Sequence, residues 1–387
     1  MKKNKNLMVL IACCLVIASS VGILINAAGV FFTPISEELG IGKGSVSMTL
    51  TVSNLAYAVG GLFTVRFIHE RNFKKMMVLL ASVYGASTVI MGFCSNVYLM
   101  YVLSLLRGFS AGMAGIVLVT ILVNNHFEKN NGLATSIALG CSGIAGALLS
   151  PVYTSMIESI GWRMTYIISG VLTFALYLPC ILLPIKMNNK VKEVSEEVVV
   201  EKKEVKTTKP SYQQQFILIC VFAFTIVSVT ALSQHFPSMS INAETGALMV
   251  SVCMICNTGS KILMGGLADR FGVEKPTYVF GICTLIGLAM LATIDNSLAQ
   301  LLSAGLIGMV YAIGAVSVVL LSRKVFGDEY NSYYPKISLV GTVSGAIFSS
   351  VVGYIYDIFH SYTPAVWMVF IFALIALGCL LKVSKSK

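Results

Sequence analysis

A chain of 387 residues with 27 lysines and arginines against 17 aspartates and glutamates is 56% hydrophobic and only 11% charged, with mean hydropathy +0.84. Soluble globular proteins carry about one charged residue in four, so that class is excluded and a chain crossing the membrane many times is expected. The net charge of +10 calls for no nucleic-acid partner, because most of it falls in loops and chain ends that can face an anionic leaflet.

About 20 apolar residues fill a bilayer core. Twelve such spans are predicted: 7–32, 44–65, 76–95, 98–123, 132–154, 163–185, 213–233, 246–267, 277–294, 297–322, 337–356 and 363–381. Lys2, Lys3 and Lys5 before the first run imitate a secretory signal, but 7–32 is uncharged over its whole length and holds polar Asn26, so it reads as a first span. Span four contains Arg107, followed by Gly108 and Gly112. Span five carries Gly140, Gly143 and Gly146 and ends at Ser150-Pro151. Between spans six and seven, 186–211 holds seven lysines and five glutamates with no aromatic before Tyr212, a composition that cannot build a core and reads as a solvated linker. Span eight runs uncharged from Ala247 to Ala268 except for Lys261. A charge there costs at least about 2.5 kcal/mol, which makes Lys261 a functional candidate by default.

With the N-terminus cytoplasmic, 23 of the 27 basic residues lie inside, Lys43 and Arg163 outside, and Arg107 and Lys261 within spans. This bias predicts both termini on the cytoplasmic side of the plasma membrane. The organisation expected is an N-terminal six-helix bundle over 1–185, the linker over 186–211, and a C-terminal six-helix bundle over 212–387. Gly60-Gly61-Leu62 recurs as Gly265-Gly266-Leu267, 205 positions on, as in a duplicated six-helix unit.

The ten cysteines lie in or at the ends of apolar stretches and read as small hydrophobes. Cys253 and Cys256 form a C-x-x-C without the further ligands that zinc needs, so no metal, disulfide or cofactor is expected. The seventeen acids all fall in loops or at span ends, which leaves no midplane carboxylate to carry a coupling proton. Nor is there a Ser/His/Asp or paired-carboxylate arrangement within the spans, so an enzyme is not expected.

The stretch Gly266-Leu267-Ala268-Asp269-Arg270-Phe271-Gly272 resembles the cytoplasmic Asp-Arg loop motif of the major facilitator superfamily. In the first half Thr64 stands where that motif has its acid. Arg107-Gly108 resembles the fourth-helix element of the superfamily, and Gly140, Gly143 and Gly146 its glycine-rich fifth helix; close packing through small residues explains the latter equally. Gly29 to Ile35, Ser45 to Ser53 and Gly341 to Asp357 look more specifically like the monocarboxylate and oxalate:formate branch. In that branch a helix-eight cation four residues before a glycine binds the substrate carboxylate, and Lys261 stands four before Gly265. Positions where relatives have a helix-one lysine and a helix-eight acid read Thr33 and Asn257, and span eleven has no central cation, which disfavours dicarboxylates.

The resemblance implies an all-α, twelve-helix transporter whose two bundles rock around a central site. Asn257 lies one turn above Lys261 on the same helical face. Asn26, Asn54, Tyr57, Thr225, Ser228, Tyr311 and Thr342 are the lining groups that family geometry suggests, with Arg107 as a second cation. Bland alternatives stay open: Arg107 bracing helix packing, Lys261 snorkelling, serines and threonines bonding their own backbone, and His235 as an interfacial residue rather than a pH sensor. The function expected is secondary transport of a small organic anion, a monocarboxylate first, by a monomer in the lipid bilayer, with the coupling ion left open. Its rivals are multidrug efflux by the same fold and a non-transporting sensor.

Overall fold

The computed structural model describes residues 2–127, 131–183, 185 and 210–385. The described residues form helices and no strand. Eleven stretches are long and apolar enough to cross a membrane: α1 Asn6–Asn26, α2 Lys43–Phe67, α3 Phe73–Met91, α4 Val97–His126, α5 Ala134–Leu182, α6 Tyr212–Met239, α7 Ala243–Phe271, α8 Glu274–Thr293, α9 Ser297–Phe326, α10 Ser332–Phe359 and α11 Thr363–Val383. At 1.5 Å per residue the 49 residues of α5 would reach about 73 Å, more than twice a ~30 Å bilayer core. Gly161 resolves this: at φ 80° and ψ 159° it leaves helical geometry and divides the run into two helices. That backbone conformation is open to glycine and strained for other residues.

Two compact units make up the chain, one of Met1–Ile41 and Ser45–Val200, the other of Gly42–Gly44 and Glu201–Lys387. Most of the expected linker, 186–209, lies outside the described residues.

In the first unit α1 packs on α5, and α3 on α4 and α5. Apolar Val9, Val16, Met77, Tyr84, Ala138 and Tyr177 share one buried cluster. The first span is less regular than its uniform hydropathy implied. From Ala18 to Asn26 it widens to π-helix, a 3₁₀ turn follows over Ala28–Phe31, and a short helix, Phe32–Leu39, stops at left-handed Gly40. Small residues set the α2–α4 spacing: a Cβ on Gly108 would strike the Ser53 backbone, and one on Gly112 the Tyr57 backbone. Glu38, between α1 and α2, accepts hydrogen bonds from Trp162 Nε1 and, at 2.7 Å, from Arg163 Nε of α5. The Arg163 hydrogen bond holds the Glu38 carboxyl below its usual pKa.

The second unit packs α6 against α10 and α11, α9 against α7 and α8, and α8 against α11. Asn242 caps α7, its side-chain oxygen accepting from Thr245 N at 2.7 Å. The helix containing α10 begins at Tyr330, ahead of the 337 expected from sequence. Its Pro335 is the sixth residue, past the first turn, and so forfeits one intrahelical hydrogen bond. Lys43 N and Gly44 N donate to the Asp357 carboxylate at 2.7 and 2.8 Å. His235, near the C-terminal end of α6, is turned into the bundle. Its ring is fully buried, with Nε2 2.7 Å from Ser349 O and the ring 5.6 Å from that of Tyr362. His235 is the last residue of the 3₁₀ turn Ala231–His235 within α6.

Candidate functional site

Lys261 stands 18 residues after Ala243 on α7, about 27 Å along the helix at 1.5 Å per residue. It opens onto a cavity of about 260 Å³ in the second unit, walled by α6, α7, α9 and α10. Lys261 is the one charged residue lining it. Its ammonium lies 5.9 Å from the centre of the Tyr311 ring, a cation–π contact. Among the described residues no carboxylate lies within ion-pairing distance of Lys261.

Of the expected lining groups, Tyr311 and Thr342 join Lys261 at this cavity. Asn257 does not line it. It is buried within the bundle, with Nδ2 3.7 Å from Met254 Sδ and Oδ1 without a hydrogen-bond partner. Sharing a helical face with Lys261 was insufficient, because the long lysine stem reaches the cavity and the short amide does not. Thr225 and Ser228 donate to Val221 O and Thr225 O on their own helix and are absent from the lining.

The cavity also takes residues that sequence reasoning passed over. Thr230 comes from α6, Gly314 and Ala315 from α9, and Tyr334, Ser338 and Gly341 from α10. Gly314 and Ala315 belong to a π-helical turn, Ile313–Ser317, of the kind that interrupts helices at functional sites. Hydrogen bonding sorts the wall's polar groups. Thr230 Oγ1 donates to Val227 O at 2.6 Å and Thr342 Oγ1 to Ser338 O at 2.9 Å, so their protons are committed to the backbone. The Tyr311 hydroxyl is 2.7 Å from Ser233 Oγ. The ammonium is therefore the strongest donor free to meet a solute.

The remaining expected residues lie in the first unit. Arg107 on α4 is buried, its Nε donating to Ser53 Oγ at 3.1 Å, with the Tyr166 hydroxyl also in hydrogen-bonding contact. Tyr57 accepts from Ile116 N at 3.1 Å, where α4 bends at Gly115. Asn26 Nδ2 donates to Ser142 O at 2.9 Å and fastens α1 to α5. The Asn54 Oδ1 atom is buried without a partner.

The motif residues occupy two environments. Asp269 and Arg270 are exposed at the end of α7, with the Arg270 guanidinium 5.9 Å from the Phe271 ring centre. Gly272 stops the helix at φ 79°, a role that suits glycine alone. A Cβ on Gly266 would meet nothing within 4 Å. Thr64, at the equivalent position in the first half, is fully buried and donates to Met113 O at 2.9 Å, tying α2 to α4. On α5, Gly143 and Gly146 are buried and Gly140 half-buried.

An all-helical membrane protein with a polar-tipped cavity inside a helix bundle has the architecture of a solute transporter. The Major Facilitator Superfamily model matches residues 10–334, and the chain belongs to that superfamily. It is 23% identical over 344 residues to the multidrug resistance protein MdtG of Escherichia coli, covering 82% of this chain and 81% of MdtG. It is 24% identical over 162 residues to the uncharacterized MFS-type transporter YcxA of Bacillus subtilis, a match spanning 42% of this chain and 40% of YcxA. Among solved structures, the nucleoside transporter NupG superposes with a TM-score of 0.75 at 13% identity, over 99% of this chain and 100% of NupG. The inward-open xylose transporter XylE from E. coli gives 0.70 at 13% identity, over 100% and 96%. At these identities the structural likeness speaks for the fold.

Proposed function

We propose that this superfamily transporter carries a small, singly charged organic anion, a monocarboxylate first, by alternating access, with Lys261 as the residue that binds the carboxylate. The observation carrying this reading is the Lys261 ammonium, the one charged group lining a cavity whose other polar side chains are all hydroxyls, those of Thr230 and Thr342 bonded to their own backbone. A sugar or nucleoside would bring many hydroxyls to a wall where Thr230, Thr342 and Tyr311 are already engaged, and each polar group buried unpaired costs about 1–3 kcal/mol. A carboxylate needs a single strong donor and leaves an apolar body for the rest. Neutralising Lys261 removes the charge that opposes closure, so the bound ion stabilises the occluded state more than the open one, as a ligand-driven population shift requires. In this reading Tyr311 and Thr342 assist Lys261 and Asn257 holds the helix that presents it, while Arg107, Asn54, Tyr57 and Asn26 serve the first unit.

The same proposal counts α5 as two spans divided at Gly161 and so twelve in all, both termini cytoplasmic by the lysine and arginine bias, in a plasma-membrane monomer of two six-helix bundles joined by the charged linker. The test is counterflow in proteoliposomes with a carboxylate panel: transport lost in Lys261→Gln, with that variant folded, supports the reading, and full activity in it refutes it. A second reading, export of a larger amphipathic solute, draws on the printed name of MdtG. It requires cationic dyes to stabilise the purified protein and carboxylates to leave it unchanged.

A further inference from the structure

Beyond the ammonium, the cavity carries two tyrosines whose rings are fixed from outside it. Tyr311 is held by its hydroxyl contact with Ser233 at 2.7 Å. Tyr334 is stacked on Tyr330, with centroids 5.0 Å apart and planes 13° from parallel, and the Arg323 guanidinium stands 5.2 Å from the centre of the Tyr330 ring. The stack fixes the plane of Tyr334 and leaves its other face to a ligand at little entropic cost, while the Ser233 contact anchors the Tyr311 hydroxyl. Gly314 and Gly341 bring α9 and α10 close against Val227 of α6, where an added Cβ would come within 3.2 and 3.4 Å of its Cγ2. The 260 Å³ volume falls just below the ~300–1,000 Å³ of drug-sized sites. That is room for a single ring beside a carboxylate.

Building on Lys261 as the carboxylate site, we propose that the transporter selects aromatic monocarboxylates, with Tyr334 and Tyr311 as specificity-determining residues that receive the flat face of the substrate. The Tyr311 ring, centred 5.9 Å from the ammonium, is within reach of a ring bonded directly to a carboxylate on Lys261. Tyr334, on the α10 wall, offers the second aromatic surface. Offset or edge-to-face contacts with two preset rings favour a π-system over a saturated ring of the same carbon count by about tenfold. Simple burial works in the opposite direction, since a cyclohexyl group has more aliphatic hydrogen surface than a phenyl group.

The test compares benzoate with cyclohexanecarboxylate on the full-length protein in detergent, by binding titration and thermal shift. The expected result is about tenfold tighter binding of benzoate. That ratio should fall below about twofold in Tyr334→Leu while cyclohexanecarboxylate affinity changes little, and Tyr334→Phe should keep the preference. If Tyr334→Leu does not fold, Tyr311→Leu serves the same comparison. Equal affinities in the wild type, or an unchanged ratio in the folded leucine variant, overturn the proposal. If both acids bind through Lys261 but equally, only the aromatic selection fails. If neither binds, the carboxylate reading fails and this inference falls with it.

Discussion

Replacing Lys261 by methionine should move stability and binding in opposite directions. A lysine in the middle of a span costs about 2.5–3.5 kcal/mol by insertion scales. The Tyr311 ring, centred 5.9 Å from the ammonium, returns about 0.5–1 kcal/mol. With no carboxylate at ion-pairing distance among the described residues, about 2 kcal/mol of uncompensated cost remains. Methionine has a similar length and no charge, so the empty variant should be more stable than the wild type. At ~2–4 °C per kcal/mol for a unit of this size, Tm rises by roughly 4–8 °C. A charge-assisted hydrogen bond contributes about 1.5–3 kcal/mol to binding, so carboxylate affinity falls by roughly 10- to 150-fold. In the wild type, ligand at 100 times Kd stabilises by about 2.7 kcal/mol, and the same concentration should stabilise the variant by only about 0.3–1.4 kcal/mol. Thermal denaturation in detergent, with and without a saturating carboxylate, reads both effects at once. A variant that melts lower than the wild type would mean that Lys261 is an integral brace of the bundle. An undiminished ligand shift would remove it from the binding site.

Gly112→Ala drives a methyl group into the Tyr57 backbone, and forcing α2 and α4 apart should cost about 1–3 kcal/mol, seen as a lowered Tm with no change in carboxylate affinity per folded molecule. Asp357→Asn weakens the acceptor for Lys43 N and Gly44 N; loss of the charge assistance should lower stability by about 1–2 kcal/mol at neutral pH. Glu38→Gln tests the pH sign. The folded-state pKa of Glu38 lies below the usual 4.5, so its stabilisation is fully present above that value and is lost as pH falls through the lowered one. Because Glu38 and Arg163 are 48% and 33% exposed, the difference from wild type should stay under about 1 kcal/mol near pH 7 and disappear in acid. A gap that persists below pH 3 would place its origin elsewhere than in the carboxylate.

What could be read from the sequence, and what could not, divides along the range of the signal. Apolar run lengths located the spans, because the hydrophobic requirement of a bilayer is local and additive along the chain. The sequence also parted 132–154 from 163–185, and the chain leaves helical geometry in that interval, at Gly161; what it did not single out was the glycine itself, whose positive φ cannot be read from its identity, since most glycines in membrane helices serve packing. Lys261 was conspicuous because a charge in an uncharged run is an energetic outlier whatever surrounds it. Tyr311 and Thr342 followed from family geometry, whereas Asn257, chosen for its face on α7, turned out to lack the reach. Tyr334 gave no comparable signal: tyrosine at a span end is ordinary interfacial composition, and a start at 337 left it outside the helix altogether. Its ring reaches the cavity because the helix starts early, at Tyr330, and its orientation is set by a neighbour one turn away under Arg323. The charged end of a ligand site can therefore be found residue by residue, while the surfaces that shape its apolar body emerge once helix starts, π-turns and ring stacks are in place. In the proposed reading the substrate class rests on Lys261 alone, and discrimination within that class on Tyr311 and Tyr334 together.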